Sequence, residues 1–420
     1  MNNRNTTHII NFLFAALACI ASISANAQRQ PKVVFVIVDG IPADVMEKVK
    51  HPNLDAIIKK GGYACAYVGG EKNGYSQTPT ISAVGYNSLL TGTWVNKHNV
   101  WGNDITAPNY NYWNIFRFYK TQYPKSITAV FSTWLENRTL LIGSAAAAAG
   151  NVNPEIHFDG WELDTVRFPH DREAKYIHQI DELVTDTAAA VIKRVGPDLS
   201  WVYLEFTDDM GHRYGDSEEF YDAIQKMDDQ MGRLWKSIQY RQQHYAEDWR
   251  IFITTDHGRD VQSGKHHGGQ SDRERSTWII SNAPDLNNYF KKDVPGVVDI
   301  MPAMARHLKL TLPRERAFEL DGVSITGPIA ASNLKAEWKE GKLQLQWKPQ
   351  TTVGSSQVWV TYTNEFGKGG ADHYELLGKV STAAGKANFP LAKPSAGFIK
   401  VVLETNGQML NYWVLLPTDK

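Results

Sequence analysis

Ile251-Phe252-Ile253-Thr254-Thr255-Asp256-His257-Gly258 is the stretch on which the fold turns. An apolar, β-branched run that stops at Asp-His-Gly predicts a buried strand whose last residues break into a loop. In an open α/β sheet, ligands bind outside the carboxyl ends of the strands. Neighbouring side chains on a strand point to opposite faces. A glycine directly after them lets the backbone turn, so Asp256 and His257 can converge. A carboxylate oxygen beside an imidazole nitrogen suits zinc. The same tripeptide also makes an ordinary polar turn, so its meaning depends on what the other strand ends supply.

Working outward, the punctuation recurs. Val33-Val34-Phe35-Val36-Ile37-Val38 is a continuous apolar run, as for a strand covered on both faces, and it ends in Asp39-Gly40. Trp201-Val202-Tyr203-Leu204-Glu205-Phe206 runs into Thr207-Asp208-Asp209-Met210-Gly211-His212, where Asp208 and His212 have the i, i+4 spacing of one helical face. After Gly258 a polar loop carries Lys265-His266-His267-Gly268-Gly269. Helical patterning over 52–60, 83–91, 137–150 (Ala-rich), 218–241 and 299–308 alternates with strand-like runs at 63–68, 127–131 and 276–281. That alternation predicts an α/β domain with a doubly wound, mostly parallel sheet. Ser82 is the expected N-cap of the 83–91 helix, which Gly92 stops. A hydroxyl there lies in the positive potential of a helix N-terminus and can serve chemistry as well as capping. Thr80 is a competing hydroxyl.

Taken together, Asp39, Asp208 with His212, Asp256 with His257, and His267 or His266 are enough ligands for two metal ions with open positions. With a hydroxyl beside them, the set matches two-metal phosphoryl transfer.

Composition bounds the rest. The 420 residues, 42% hydrophobic and 21% charged, are long enough for two domains. A net charge of −1 gives no basic field for a nucleic acid polymer. Thirteen Trp and 18 Tyr read as core packing. Residues 1–27 look like an export signal: Arg4 and His8, an apolar run over 9–23, then Ala25-Asn26-Ala27. Its removal leaves Cys65 alone, without a disulfide partner, and no membrane span; the expected location is periplasmic or extracellular. Past Gly327-Pro328 alternation dominates, in Leu343–Trp347, Val358–Tyr362, Lys400–Glu404 and Tyr412–Leu416. This predicts a small all-β sandwich of fibronectin or immunoglobulin type over 328–420, a packing or spacer module, behind a catalytic domain over 28–327.

Val36-Ile37-Val38-Asp39-Gly40, Ser82 through Leu89-Leu90-Thr91-Gly92, Lys97-His98-Asn99-Val100, Asp208-x-x-Gly211-His212, Thr255-Asp256-His257-Gly258 and His267-Gly268 resemble, in order and spacing, the motifs of the alkaline phosphatase superfamily. The chain is most similar to the nucleotide pyrophosphatase/phosphodiesterase branch, over about 32–326. The resemblance implies an alkaline-phosphatase-like fold, and its register places the nucleophile on Ser82. One zinc would be held by Asp208, His212 and His267, the other by Asp39, Asp256, His257 and the Ser82 oxygen. His267 is preferred over His266 because the family's ligand precedes Gly. Asn103 falls where the family's diesterases hold the phosphate.

The implied reaction is hydrolysis of a small-molecule phosphate diester through a phosphoseryl intermediate. Two departures stand out. Ser82-Ala83-Val84-Gly85-Tyr86 lacks the family's Phe-Pro-Asn-His after the nucleophile, and Glu136 and Arg138 sit where some monoesterase relatives carry Lys and Arg. Phosphomonoester hydrolysis is therefore the alternative. A sulfatase lacks its Cys/Ser-x-Pro-x-Arg signature, and a non-catalytic binder would leave the six ligands without purpose. Closing features are expected at 299–308 (helix) and Leu320-Asp321-Gly322-Val323 (a strand).

Overall fold

The computed structural model describes residues 29–416. The expected export signal lies outside the described residues. Seven strands, β1 (Gln30–Val38), β2 (Gly62–Tyr67), β3 (Thr128–Ser132), β4 (Ile156–Phe158), β5 (Leu199–Leu204), β6 (Glu247–Thr254) and β7 (Ser276–Ser281), form one sheet in the order β2-β7-β6-β1-β5-β3-β4. All neighbours from β6 to β4 pair in parallel, and β7 runs against both of its neighbours. The fold class is the α/β one the alternation predicts.

The sheet is buried on both sides, and β1 shows how. Val33, Phe35 and Ile37 pack into one core layer while Val34, Val36 and Val38 pack into the other, as a period of two requires. Phe35 stacks on Trp201 of the adjacent β5, with ring centroids 5.7 Å apart. Helices cover the two faces: α1 (Pro52–Ile58), α2 (Ser82–Thr91), α3 (Val95–His98), α4 (Ile115–Gln122), α5 (Lys175–Arg194), α6 (Phe206–Tyr214), α7 (Glu218–His244) and α8 (Ile300–His307). The central trio β6-β1-β5 delivers Asp256-His257, Asp39 and Asp208 to one edge, because parallel neighbours end on the same side.

Two expected elements differ. The Ala-rich stretch 137–150 is not one α-helix: a π-helical turn (Asn137–Ile142) ends at Gly143 (φ 73), and a short 3-10 turn (Ala147–Ala149) ends at Gly150. Left-handed glycines at both points, with Ala145 at φ 64 between them, overrule the alanine propensity. Leu320-Asp321-Gly322-Val323 adds no strand. The amides of Asp321 and Gly322 instead bond the Gly92 carbonyl at the end of α2, at 2.9 and 3.1 Å.

Beyond residue 330 come β8 (Ala331–Lys339), β9 (Lys342–Pro349), β10 (Ser355–Thr361), β11 (Glu375–Ser381), β12 (Lys386–Pro390), β13 (Phe398–Thr405) and β14 (Gln408–Leu415). They make two antiparallel sheets, β11-β10-β13-β14 and β12-β9-β8. Their apolar faces join the same core layer as Phe35 and Ile37. Polar links add to this. Lys97 Nζ, fully buried, donates to Asp321 Oδ1 (2.7 Å), the Glu319 carbonyl (2.7 Å) and Asn411 Oδ1 of β14 (2.8 Å). Tyr75 stacks on Trp413. Among the described residues, no helix is long and apolar enough to cross a membrane.

Candidate active site

At the carboxyl end of β1 the chain turns through Gly40, whose φ of 68 favours glycine, and a Cβ there would strike the Asp208 carboxylate. The Gly40 amide donates to Asp256 Oδ1 (3.2 Å), and the Thr207 hydroxyl donates to the Asp39 carbonyl (2.6 Å). These bonds fasten the ends of β1, β5 and β6 to one another. The helix α2 comes in from the side. Its Gly85 faces the Asp256-His257 turn so closely that a Cβ would lie 2.7 Å from the Asp256 carbonyl oxygen and 2.9 Å from its Cβ.

Ser82 differs from the expectation in one respect. Ile81, with extended backbone (φ −120, ψ 148), precedes the helix, and Ser82 is its first residue. No side-chain cap bond is made, so the Ser82 hydroxyl is not spent on the helix. It points at the cluster, with Oγ 3.4 Å from His257 Nε2. Thr80 is committed elsewhere: its hydroxyl donates to the Gly269 carbonyl and accepts from the Gly268 amide, both at 2.9 Å. The Ala83 amide donates to Asn103 Oδ1 at 3.0 Å, which ties that side chain to the N-terminus of α2 and leaves its Nδ2 donor uncommitted to this bond.

The sequence-derived ligands gather into two overlapping groups. Ligand atoms of Asp39, Asp256 and His257 lie within 4.8 Å of one another, as do those of Asp208, His257 and His267. His257 Nε2 is 3.3 Å from both Asp39 Oδ1 and Asp256 Oδ2. His212 Nε2 is 3.1 Å from Asp208 Oδ2 and 3.1 Å from His267 Nε2, with Asp208 and His212 one turn apart on α6. His266 stays outside: its backbone amide bonds Asp260 (2.7 Å) and its side chain is exposed. Arg138 also stays outside, paired through Nε and one terminal nitrogen with Asp159 at 2.6 and 2.9 Å.

The donor set fits divalent metal on three observations. Asp39 Oδ1 and Asp256 Oδ2 are buried and have no hydrogen-bond partner, and such atoms are costly unless something else meets them. His257 Nδ1 is 2.9 Å from the Gly258 carbonyl and His267 Nδ1 is 2.9 Å from the Thr80 carbonyl. A carbonyl only accepts, so each Nδ1 carries a proton and each Nε2 is the nitrogen that faces the other ligands, the arrangement of metal-ligating histidines.

The charges point the same way. Burial, reinforced by Asp39, pushes the Asp256 carboxyl well above its usual range. Burial opposes charge on His257, but Asp256 and Asp39 outweigh it and raise the ring to about 9. Burial, with His257 beside it, lowers His267 to about 4. Burial works against the Asp208 anion too, yet Arg259 and His212 hold it well below the usual carboxylate range. Two buried carboxylates and the half-buried Asp208 thus share a small volume in which Arg259 is the fixed cation, and more positive charge would settle them.

Three side chains at the site escaped the sequence reading. Tyr203 donates to Asp39 Oδ2 at 2.7 Å, Tyr86 donates to the same oxygen, and Arg259 donates to Asp208. A charged residue directly after a buried Asp-His-Gly was the signal available for Arg259; the tyrosines read as core aromatics.

A family model described as type I phosphodiesterase / nucleotide pyrophosphatase matches residues 33–280. The chain is similar to ectonucleotide pyrophosphatase/phosphodiesterase family member 7 of Mus musculus, 25% identical over 264 residues, which are 60% of this chain and 55% of that protein. It is also similar to venom phosphodiesterase 2 of Crotalus adamanteus, 22% identical over 251 residues, 56% of this chain and 27% of that one. The chain thus spans about half or less of the length of these curated relatives. Among solved structures, phosphonate monoester hydrolase of Agrobacterium radiobacter superposes with a TM-score of 0.51 at 12% identity, covering 91% of this chain and 89% of that one; at this identity the likeness is one of fold.

Proposed function

The chain belongs to the type I phosphodiesterase/nucleotide pyrophosphatase family, within the alkaline phosphatase superfamily, and on that premise we propose that it is an exported, metal-dependent phosphodiesterase using Ser82 as nucleophile. The observation that carries the proposal is the free Ser82 hydroxyl at the start of α2, 3.4 Å from His257 Nε2 and beside two orphaned carboxylate oxygens. Asp39, Asp256 and His257, with the Ser82 oxygen, would hold one divalent cation, and Asp208, His212 and His267 a second. Bound there, such cations (zinc, by the nitrogen-rich donor set) supply Lewis acidity that favours the serine alkoxide and neutralises the leaving oxygen.

The protein's own groups do the rest. Ser82 Oγ forms a bond to phosphorus as the bond to the leaving alkoxide breaks, giving a phosphoserine that water then hydrolyses. The positive end of α2 lies under the attacking oxygen and favours its anionic form. Asn103, tied to the start of α2 by the Ala83 amide, would donate through Nδ2 to a non-bridging phosphate oxygen. Phosphomonoester hydrolysis, the alternative, rests on the serine nucleophile and on Arg138, and of these the Arg138 guanidinium is already paired with Asp159. The same reading takes 28–327 as the catalytic domain and 328–420 as a β-sandwich domain. Export is supported by the leader-like 1–27 segment.

The test is a panel of nitrophenyl diester, nitrophenyl monoester and nitrophenyl sulfate with purified protein, before and after chelation and after added zinc. Fastest turnover of the diester, abolished by chelator and restored by zinc, is expected. Faster monoester turnover, or activity indifferent to chelator, would refute the proposal.

A further inference from the structure

Arg259 is fully buried, and its guanidinium is spent on three separate segments. Nε donates to the Gly40 carbonyl (2.8 Å) at the end of β1. One terminal nitrogen donates to the Lys265 carbonyl (3.2 Å), two residues before His267. The other donates to the Asp208 carbonyl (2.9 Å) and to Asp208 Oδ1. A buried cation is tolerated only when its donors are met, and here each of the three nitrogens has a partner. Room for the group is built in: Gly211 lies against it, and a Cβ there would fall on the guanidinium.

The consequence is unequal support for the two ligand groups. Asp208 Oδ1 is taken by Arg259, which leaves Oδ2, the oxygen 3.1 Å from His212 Nε2, to face the site. Asp39 is instead held through Oδ2 by the Tyr86 and Tyr203 hydroxyls, and Asp256 through Oδ1 by the Gly40 amide. Arg259 touches neither carboxylate of that second group. We propose that Arg259 is a positioning residue acting first on the Asp208–His212–His267 group, restricting Asp208 to a single ligating oxygen and locking α6 to the His267 loop and the β1 turn. The inference rests on the metal-dependent reading above. Lysine cannot replace it fully, because a point ammonium cannot reach three carbonyls and a carboxylate in the fixed fork that a guanidinium offers.

The experiment uses full-length protein with Arg259→Gln and Arg259→Lys. Thermal melting shows that each is folded, chelator competition measures zinc affinity, and the visible absorption of cobalt(II)-loaded protein reports coordination. Wild type is expected to bind two ions. Arg259→Gln should weaken one of them about tenfold to a hundredfold and the other, which it reaches only through the Gly40 turn, by less than about threefold. The cobalt spectrum should change mainly for that ion, with Arg259→Lys in between. Should Arg259→Gln fail to fold, the Lys variant carries the same comparison. Wild-type affinity for both ions in a folded variant, or equal weakening of both, would overturn this inference and leave the proposed function standing. Wild-type protein that binds no zinc would overturn both.

Discussion

Gly85 lies where α2 crosses the Asp256-His257 turn, and alanine there sets helix propensity against a clash. In an unconstrained helix the change would stabilise by about 1 kcal/mol. Here the added Cβ meets the Asp256 carbonyl oxygen at 2.7 Å, against 3.4 Å for ordinary contact, so the two segments must part by 3.4 − 2.7, about 0.7 Å. Overpacking of this kind costs about 1–3 kcal/mol, which leaves a net loss of roughly 1 kcal/mol and a melting point lower by a few degrees. The effect on turnover should be much larger. Ser82 rides on α2 and His257 on the turn, and displacing reacting groups by about 1 Å costs on the order of a hundredfold. Gly85→Ala should therefore lose about tenfold to a hundredfold in kcat/KM on a nitrophenyl diester while remaining folded by thermal melting. Activity within threefold of wild type would refute the claim that this contact sets the distance between nucleophile and ligands.

Three further outcomes are expected. His98 is buried, with Nδ1 accepting from the Val100 amide (3.1 Å) and Nε2 donating to Ser88 Oγ (3.0 Å), and burial pushes it down to about 3. Its neutral ring contributes stability that is full above an unfolded pKa of about 6.5 and is lost as pH falls toward 3, at up to about 1.4 kcal/mol per pH unit. Urea unfolding from pH 7 to 5 should show this slope in wild type and a shallower one in His98→Gln; parallel slopes would exclude His98 as the source. Thr80→Val removes the hydroxyl that holds Gly268 and Gly269, a loss of about 1–3 kcal/mol, and should lower but not abolish turnover; a loss as deep as that of Ser82→Ala would move the nucleophile to Thr80. Tyr203→Phe frees Asp39 Oδ2 from one donor and should weaken zinc about tenfold in chelator competition; unchanged affinity would show that the remaining Tyr86 bond suffices.

Legibility in the sequence followed the range of the forces involved. Buried parallel strands write themselves as unbroken apolar runs, so an Asp following each run is assigned to a shared edge by the sequence pattern. Spacing on one helix likewise put Asp208 and His212 together. Ser82 was harder, because a cap and a first helical residue differ only in the backbone angles of a single position. The Ala-rich 137–150 stretch misled because propensity is a weak local preference, and two left-handed glycines decided the path. Tyr86, Tyr203 and Arg259 matter through partners far along the chain, and one sequence carries no mark of such pairings.

The central claim is that the Ser82 oxygen performs the displacement while the surrounding side chains hold metal. Its most direct test is to measure zinc per chain and diester turnover side by side in wild type and Ser82→Ala. Zinc unchanged and turnover lower by at least about a thousandfold is the predicted result. Turnover within tenfold of wild type in a zinc-replete Ser82→Ala protein would contradict it.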